Sequence, residues 1–479
     1  MPHFNINETK RTMQSGLNFD WPYFWQQRKV RRILLQCSQS TDPTDYSLRL
    51  FDAMTYFFIL AFWGRMRMLG CLSAMVLYAG QCQTQLRPPF VELTDSDTVQ
   101  HPFIATEQNV FENAGYLEPV FHKLHLQRTQ GGRKVTFLHI GDSHILGNYL
   151  TREVRSRLQE AFGDAGRGII FPYRLADSNG PRDYLVTAGG RWEGDNCNRN
   201  LAAHTSIGVA GFQLETNNPA AELTFRLRDT ASSENQLFTK VTVFQHKSPN
   251  QFDLEVVDEV SNQEAMLVIE GDYSRSYYFD RPVGQVTIRP KRLDKMQKKL
   301  TFDGISLENE YSGIIYHSIG VNGATFEDYA RAKNFAKGAA DLYPDLVILS
   351  FGTNEAQGHT SRAAMRRSIE QLTEQIRESS PTSLFLLTTP ADSYLRGKGF
   401  NPYMAEMSAV IRQYAREKGY ALWDLYNLSG GENSAQSWKA RGLMSSDSVH
   451  YSKAGYATQG KLLYQSIIRG YNQYVTGRQ

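Results

Sequence analysis

Two stretches of the chain share one hydrophobic pattern. KVTFLHI (134–140) is an apolar, β-branched run between Gly131–Gly132 and GDSH (141–144), which predicts a buried strand. Behind it Leu146, Leu150, Val154, Leu158 and Phe162 recur every four residues, the stripe of a helix facing a core. Upstream, AGYLEPVFHKLHLQR (114–128) predicts another helix. From 311 onward the same texture returns, with predicted strands at 313–320, 345–352, 383–390 and 420–426 and helices at 361–379, 403–419 and 453–475. Gly419 falls where a left-handed helix stop is expected. Strands alternating with helices predict an α/β fold, a parallel sheet covered on both faces, whose ligands sit at the carboxyl ends of strands.

Between these stretches, AELTFRLRD, KVTVFQHKS, FDLEVVDE, EAMLVIEGD, SRSYYFD, GQVTIRP and KLTFDGISLE are short alternating runs separated by turn residues. They predict an inserted all-β, jelly-roll-like domain. The chain therefore divides into a leader (1–84), a first α/β part (85–179), a β insertion (180–310) and a second α/β part (311–479).

The leader carries AMTYFFILAFW (53–63), a basic break RMRM (65–68) and LGCLSAMVLYAG (69–80), the last with the layout of a secretory signal. Arg65 and Arg67 argue against one long membrane anchor over 53–80. Translation from Met66 or Met68 would yield an ordinary signal peptide, with 1–65 as an upstream extension. The expected location is the periplasm or outside the cell, with membrane contact only through an uncleaved leader.

Composition narrows the function. Hydrophobic residues at 41% and charged residues at 21% fit a globular chain. A net charge of +3 gives no basis for nucleic-acid binding. RPKRLDKMQKK (289–299) is the one dense basic run, read as a solvated hairpin face or as a surface that attracts an anionic glycan. Cys37, Cys71, Cys82 and Cys197 are too few for a disulfide scaffold and show no zinc spacing.

Four segments carry candidate chemistry, each at a predicted strand end or in a turn: GDSH with Ser143, VNGAT with Gly323, GTNE with Asn354, and DSVH with Asp447 and His450. A serine is a weak nucleophile until a base takes its proton, and histidine suits that task near neutral pH. A carboxylate fixes the imidazole tautomer. Donors must await the oxyanion, here the N–H groups of Ser143 and Gly323 and the Asn354 amide.

These segments, in this order, resemble the SGNH branch of the GDSL hydrolases, with Ser143, Gly323, Asn354 and His450 matching its four blocks and Asp447 the aspartate three before the histidine. The resemblance covers about 100–175 and 311–475. It implies a three-layer α/β/α sandwich, a Ser143–His450–Asp447 triad, an oxyanion hole of Ser143, Gly323 and Asn354, and no cofactor or metal. HIGDSH, GDAGRGIIFPY (163–173), the placement of the β insertion and WKARGLMSSDSVHYSKAGY (438–456) are similar to envelope esterases that remove O-acetyl groups from peptidoglycan. That narrower resemblance implies an acetylated glycan as substrate and partner, and a carbohydrate-binding-like insertion.

Alternatives within the same chemistry are acetylesterase action on plant or host polysaccharide, lipase or thioesterase action, and acetyl transfer to another sugar. A different class is a glycan-binding envelope protein without catalysis. Arg167, between glycines, and Glu355, after the third block, are candidate substrate contacts; loop bracing and a helix-start acid are their plainer readings. His144 reads as packing beneath the site, and His139 and His317 as core. The sequence sets no oligomeric state.

Overall fold

The computed structural model describes residues 88–97, 99, 101–199, 206–228 and 237–478. The leader, with its signal-peptide reading and Cys37, Cys71 and Cys82, lies outside the described residues. No helix among the described residues is long and apolar enough to cross a membrane. Residues 89–125 and 134–479 form one compact unit.

Five strands build a parallel sheet in the order Gly313–Gly320, Lys134–Gly141, Leu346–Ser350, Leu384–Thr388, Ala421–Trp423. Period-two alternation divides their side chains between two cores. Val135, Phe137, Ile314, Tyr316, Leu346 and Ile348 face one side, with Tyr149–Phe162 and the terminal helix Lys453–Thr476. Leu138, Ile140, Ile319, Val347 and Leu349 face the other, with Arg362–Ser379 and Tyr403–Lys418. Gly419 ends the latter helix at φ 68°. The sheet thus has helices on both faces, the α/β/α arrangement that the resemblance implies.

The intervening segment folds into antiparallel sheets of five, five and three strands among the described residues. Their aromatic core (Phe171, Phe212, Phe225, Phe302) belongs to the same buried cluster as Leu138, Val347 and Met365, so this β module shares a core with one face of the α/β layer.

Two local outcomes differ from the sequence reading. Residues 420–426 are not one strand: the strand is Ala421–Trp423, and the Asp424 side chain accepts from Asn427 N–H to cap a short helix Leu425–Leu428. Gly168–Ile170 joins an antiparallel sheet beside Gly304–Glu308, ahead of the expected start at 180. Gly166 permits this approach, since a Cβ there would lie 2.6 Å from the Glu308 Cα.

Gly141 and Gly320 are register partners at the carboxyl ends of neighbouring strands. A Cβ on Gly141 would meet Ile145 Cγ1 at 2.4 Å and Ser350 O at 2.6 Å; one on Gly320 would meet Leu146 N at 2.4 Å and Asp142 O at 2.6 Å. The turn after the first strand therefore folds back over both strand ends only because neither carries a side chain. Gly320→Ala is expected to cost about 1–3 kcal/mol, the usual penalty for overpacking. Urea unfolding checks this; an unchanged midpoint would show that the turn relaxes freely.

Candidate active site

The GDSH turn is held from several sides. Asp142 caps the one-turn helix Ser143–Leu146, its Oδ1 accepting from His144 N–H at 2.8 Å. Tyr329 donates its hydroxyl to Gly141 O at 3.0 Å from the buried side. Ser143 rises at the carboxyl edge of the sheet, half-buried, with its Oγ 2.9 Å from His450 Nε2.

His450 and Asp447 lie on a loop closed by the Met444–Tyr451 bridge and by Ser445 N–H donating to His450 O at 2.9 Å. Ser448, buried and left-handed at φ 57°, bends the chain so that both side chains face one way. Asp447 Oδ2 lies 2.6 Å from His450 Nδ1, while Oδ1 accepts from Ser445 Oγ and from the N–H groups of Val449 and His450. Burial alone would raise the Asp447 pKa. The hydrogen bonds from His450, Ser445 and the backbone outweigh it and hold the carboxyl well below the usual range. Asp447 is thus ionised and Nδ1 carries the ring proton, which leaves Nε2 as the acceptor facing Ser143.

Beneath this pair, His144 sits with its ring centroid 5.2 Å from that of His450 and its Nδ1 3.0 Å from Tyr456 Oη. Burial first, and His450 second, push it down to about 3, so it is a neutral packing ring. His139 is likewise neutral, between Tyr316 Oη and Ser350 Oγ at 2.7 Å each. His317 Nδ1 accepts from Ile169 N–H.

The second and third blocks meet the first through one side chain. Asn354 Nδ2 donates to Asp142 Oδ2 at 3.1 Å and to Ala324 O at 2.9 Å, spanning the Ser143 turn and the Gly323 turn. Gly323 is exposed and left-handed at φ 73°. A Cβ there would press within 2.7 Å of Asn198 Nδ2, which itself donates to Asn322 O at 2.8 Å. Asn322 in turn donates to Asn179 Oδ1 at 2.7 Å. The Ser143, Gly323, Asn354, Asp447 and His450 segments therefore converge on one corner of the sheet.

Arg167 and Glu355 do not present themselves to a substrate there, which corrects that expectation. Arg167 is buried and gives its Nε and Nη2 to Asp183 at 2.8 and 3.1 Å. Asp183 also receives Arg155 and Asn148. Burial would raise Asp183, but the two guanidinium groups hold it well below the carboxylate range. Glu355 is buried too, its Oε1 accepting Phe326 N–H at 2.9 Å and its Oε2 accepting Gly352 N–H at 3.0 Å. Both side chains brace loops, and their hydrogen bonds draw them inward. Cys197 is a buried free thiol whose pKa burial drives far up, so no thiolate nucleophile forms there. Among the described residues no group of three or more His, Cys, Asp or Glu side chains is placed to hold a metal ion.

Sequence reasoning missed Asn198, Asn322 and Tyr456. An Asn flanking the VNGAT glycine was a usable local signal for Asn322; Asn198 and Tyr456 reach the site only through the fold.

Residues 300–458 match the model of the GDSL-like lipase/acylhydrolase family. A solved structure of a peptidoglycan O-acetylesterase is 25% identical, with a TM-score of 0.61; the match covers 74% of this chain and 96% of that one. A lipase/acylhydrolase from Enterococcus faecalis is 22% identical over 33% of this chain and 77% of its own, at a TM-score of 0.27. A carbohydrate acetylesterase from Sinorhizobium meliloti is 16% identical over 32% and 78%, at 0.25. No curated protein matches the chain.

Burial pushes Asp142 up to about 8, and Glu355, whose charge adds to that rise, up to about 7. A carboxyl raised above its unfolded value stabilises the fold below that unfolded value, and the stability is lost as pH climbs through the native value. The melting temperature is therefore expected to fall as pH rises from about 5 to about 9. Asp142→Asn should flatten the upper part of that slope; differential scanning calorimetry across the range checks it.

Proposed function

Because the chain is a carboxylic ester hydrolase with an SGNH/GDSL domain, we propose that Ser143, His450 and Asp447 are its triad and that its ester is an O-acetyl group on a cell-envelope glycan, peptidoglycan first. The observation that carries the substrate class is the likeness to a peptidoglycan O-acetylesterase over 96% of that chain and 74% of this one. The hydrogen-bonded path from Ser143 Oγ through His450 to Asp447, at 2.9 and 2.6 Å, supports the chemistry.

Ser143 Oγ attacks the acetyl carbonyl as His450 Nε2 takes its proton. Asp447 holds the imidazolium that forms. The negative oxygen of the tetrahedral adduct takes hydrogen bonds from the Ser143 and Gly323 N–H groups, and from Asn354 once its amide turns one N–H from Asp142, the longer of its two bonds at 3.1 Å, to the oxyanion. His450 returns the proton to the departing sugar alkoxide, leaving Ser143 acetylated. Water, deprotonated by His450, then attacks the acetyl-enzyme, and His450 passes that proton to Ser143 Oγ as the acyl bond breaks and acetate leaves. Nothing in this sequence calls for a group that the chain does not supply.

The location follows the same reading. The basic stretch and apolar run before residue 84 act as a secretory signal, and the enzyme works in the periplasm or outside the cell. N-terminal sequencing of exported protein tests this, and a chain starting at Met1 would overturn it.

Ser143→Ala should abolish acetate release from O-acetylated peptidoglycan without shifting the melting temperature. Asn354→Ala should lower kcat by roughly 10²–10³, the usual loss for one oxyanion donor. Acetate release from acetylated xylan but not from peptidoglycan would keep the triad and move the substrate to other polysaccharides. Full turnover by Ser143→Ala would end the assignment of the nucleophile.

A further inference from the structure

The basic run 289–299 takes on a defined shape in the β module, and its charges divide into two groups. Those at its ends are matched: Arg289 pairs with Glu222, Glu255 and Glu259, and Lys299 with Glu215. The middle is not matched. Lys291, Arg292, Lys295 and Lys298 are exposed and form no ion pair with any carboxylate among the described residues. The Arg292 guanidinium turns to the carbonyls of Asp294 and Lys295 instead. Asp294, the one acid in this stretch, accepts from Met296 N–H at 2.7 Å.

Between these cations stand two large apolar side chains that the fold does not cover. Leu293 is 67% exposed and Met296 61% exposed. A single exposed apolar residue needs no explanation. Here a buried glutamine holds the backbone of Leu293 and Asp294, and the Asp294 side chain holds that of Met296. Gln297 Oε1 accepts from the N–H groups of Leu293 and Asp294 at 2.7 and 3.1 Å, and its Nε2 donates to Asp253 Oδ2 at 2.8 Å. Lys298 N–H donates to Asn250 O at 2.7 Å. The loop is thus tied down at its base while Leu293 and Met296 stand out from it.

We propose that this loop, which connects strands of two different sheets, docks the enzyme on an anionic phospholipid surface, with Leu293 and Met296 entering the headgroup–acyl boundary and the four cations meeting lipid phosphates. Charge complementarity alone would suit an anionic glycan equally. The apolar pair decides for lipid: hydrated polysaccharide removes little hydrocarbon from water, whereas the interfacial layer does so and rewards each added cation near the surface. This contact is distinct from any made by the leader, and it does not depend on the substrate proposed above.

The test is vesicle sedimentation of the full chain with 30:70 phosphatidylglycerol–phosphatidylcholine and with phosphatidylcholine alone, alongside Leu293→Ser/Met296→Ser and Lys295→Glu/Lys298→Glu variants. Wild type should prefer the anionic vesicles, with binding weakened by salt, and each double variant should lose roughly tenfold in affinity. A Leu293→Trp variant reports the local event, since its added emission should shift to the blue on anionic vesicles whatever the leader does. All variants should hydrolyse a small aryl acetate at the wild-type rate, because none touches the Ser143 site. Sedimentation unchanged in the apolar double variant together with no blue shift would overturn the proposal. So would binding to a soluble polyanionic glycan that the charge variant loses and the apolar variant keeps, with no shift on vesicles.

Discussion

The site rests on the contact between two glycines. Gly141 and Gly320 lie side by side where their strands end, and the chain leaving the first strand passes directly over both. Two side chains at these positions would occupy the space of Asp142 O, Leu146 N and Ile145. With only hydrogens there, the strand turns at once into a helical turn, and Ser143 is presented by the sheet itself rather than by a loose connection. Tyr329 secures the carbonyl of Gly141 from below. A reactive side chain must be held to within a fraction of an ångström of its partner, and for the proposed Ser143–His450 pair a five-stranded sheet supplies that stiffness more directly than a surface loop.

Around this point the other segments are tied by polar groups that the fold buries. Asn354 links the first turn to the second, Glu355 links the third turn to the backbone of the helix Phe326–Arg331, and Asp142 links its own helix to Asn354. Removing such groups from water is unfavourable unless their hydrogen bonds are replaced. Here both carboxylate oxygens of Glu355 and both of Asp142 receive donors. Burial nevertheless raises the pKa of both acids, and Glu355 adds to the rise of Asp142, so the region becomes sensitive to alkaline pH while the more exposed Asp447–His450 pair does not share that burial.

Local periodicity made much of this legible. The four-residue stripe ending at Phe162 and the alternation in 134–140 each report one element and the face it buries. The blocks around Ser143, Gly323, Asn354 and His450 were legible because turn residues mark strand ends, and strand ends are where such sheets bind ligands. What escaped was long-range pairing. Arg167 sits between glycines like a residue offered to a ligand, and only the fold brings Asp183 to it. Glu355 follows Asn354 and so reads as part of the pocket, yet helical geometry turns it inward. The aromatic run ending at Tyr426 reads as one strand, although Asp424, a helix-capping residue, already marked the break.

The β module is more than an appendage to the α/β layer. Its aromatic core is continuous with the side chains beneath the sheet, and no linker separates the two. Asn198 and Asn179 bring its polar edge onto the Gly323 turn, where backbone and side-chain bonds fix Asn322. A pocket wall built this way cannot swing aside without breaking a shared core, so an orientation imposed on the module is imposed on the site. Access to Ser143 is then set by the static shape of that wall, and Asp447, the more exposed of the Asp447–His450 pair, marks the side open to solvent.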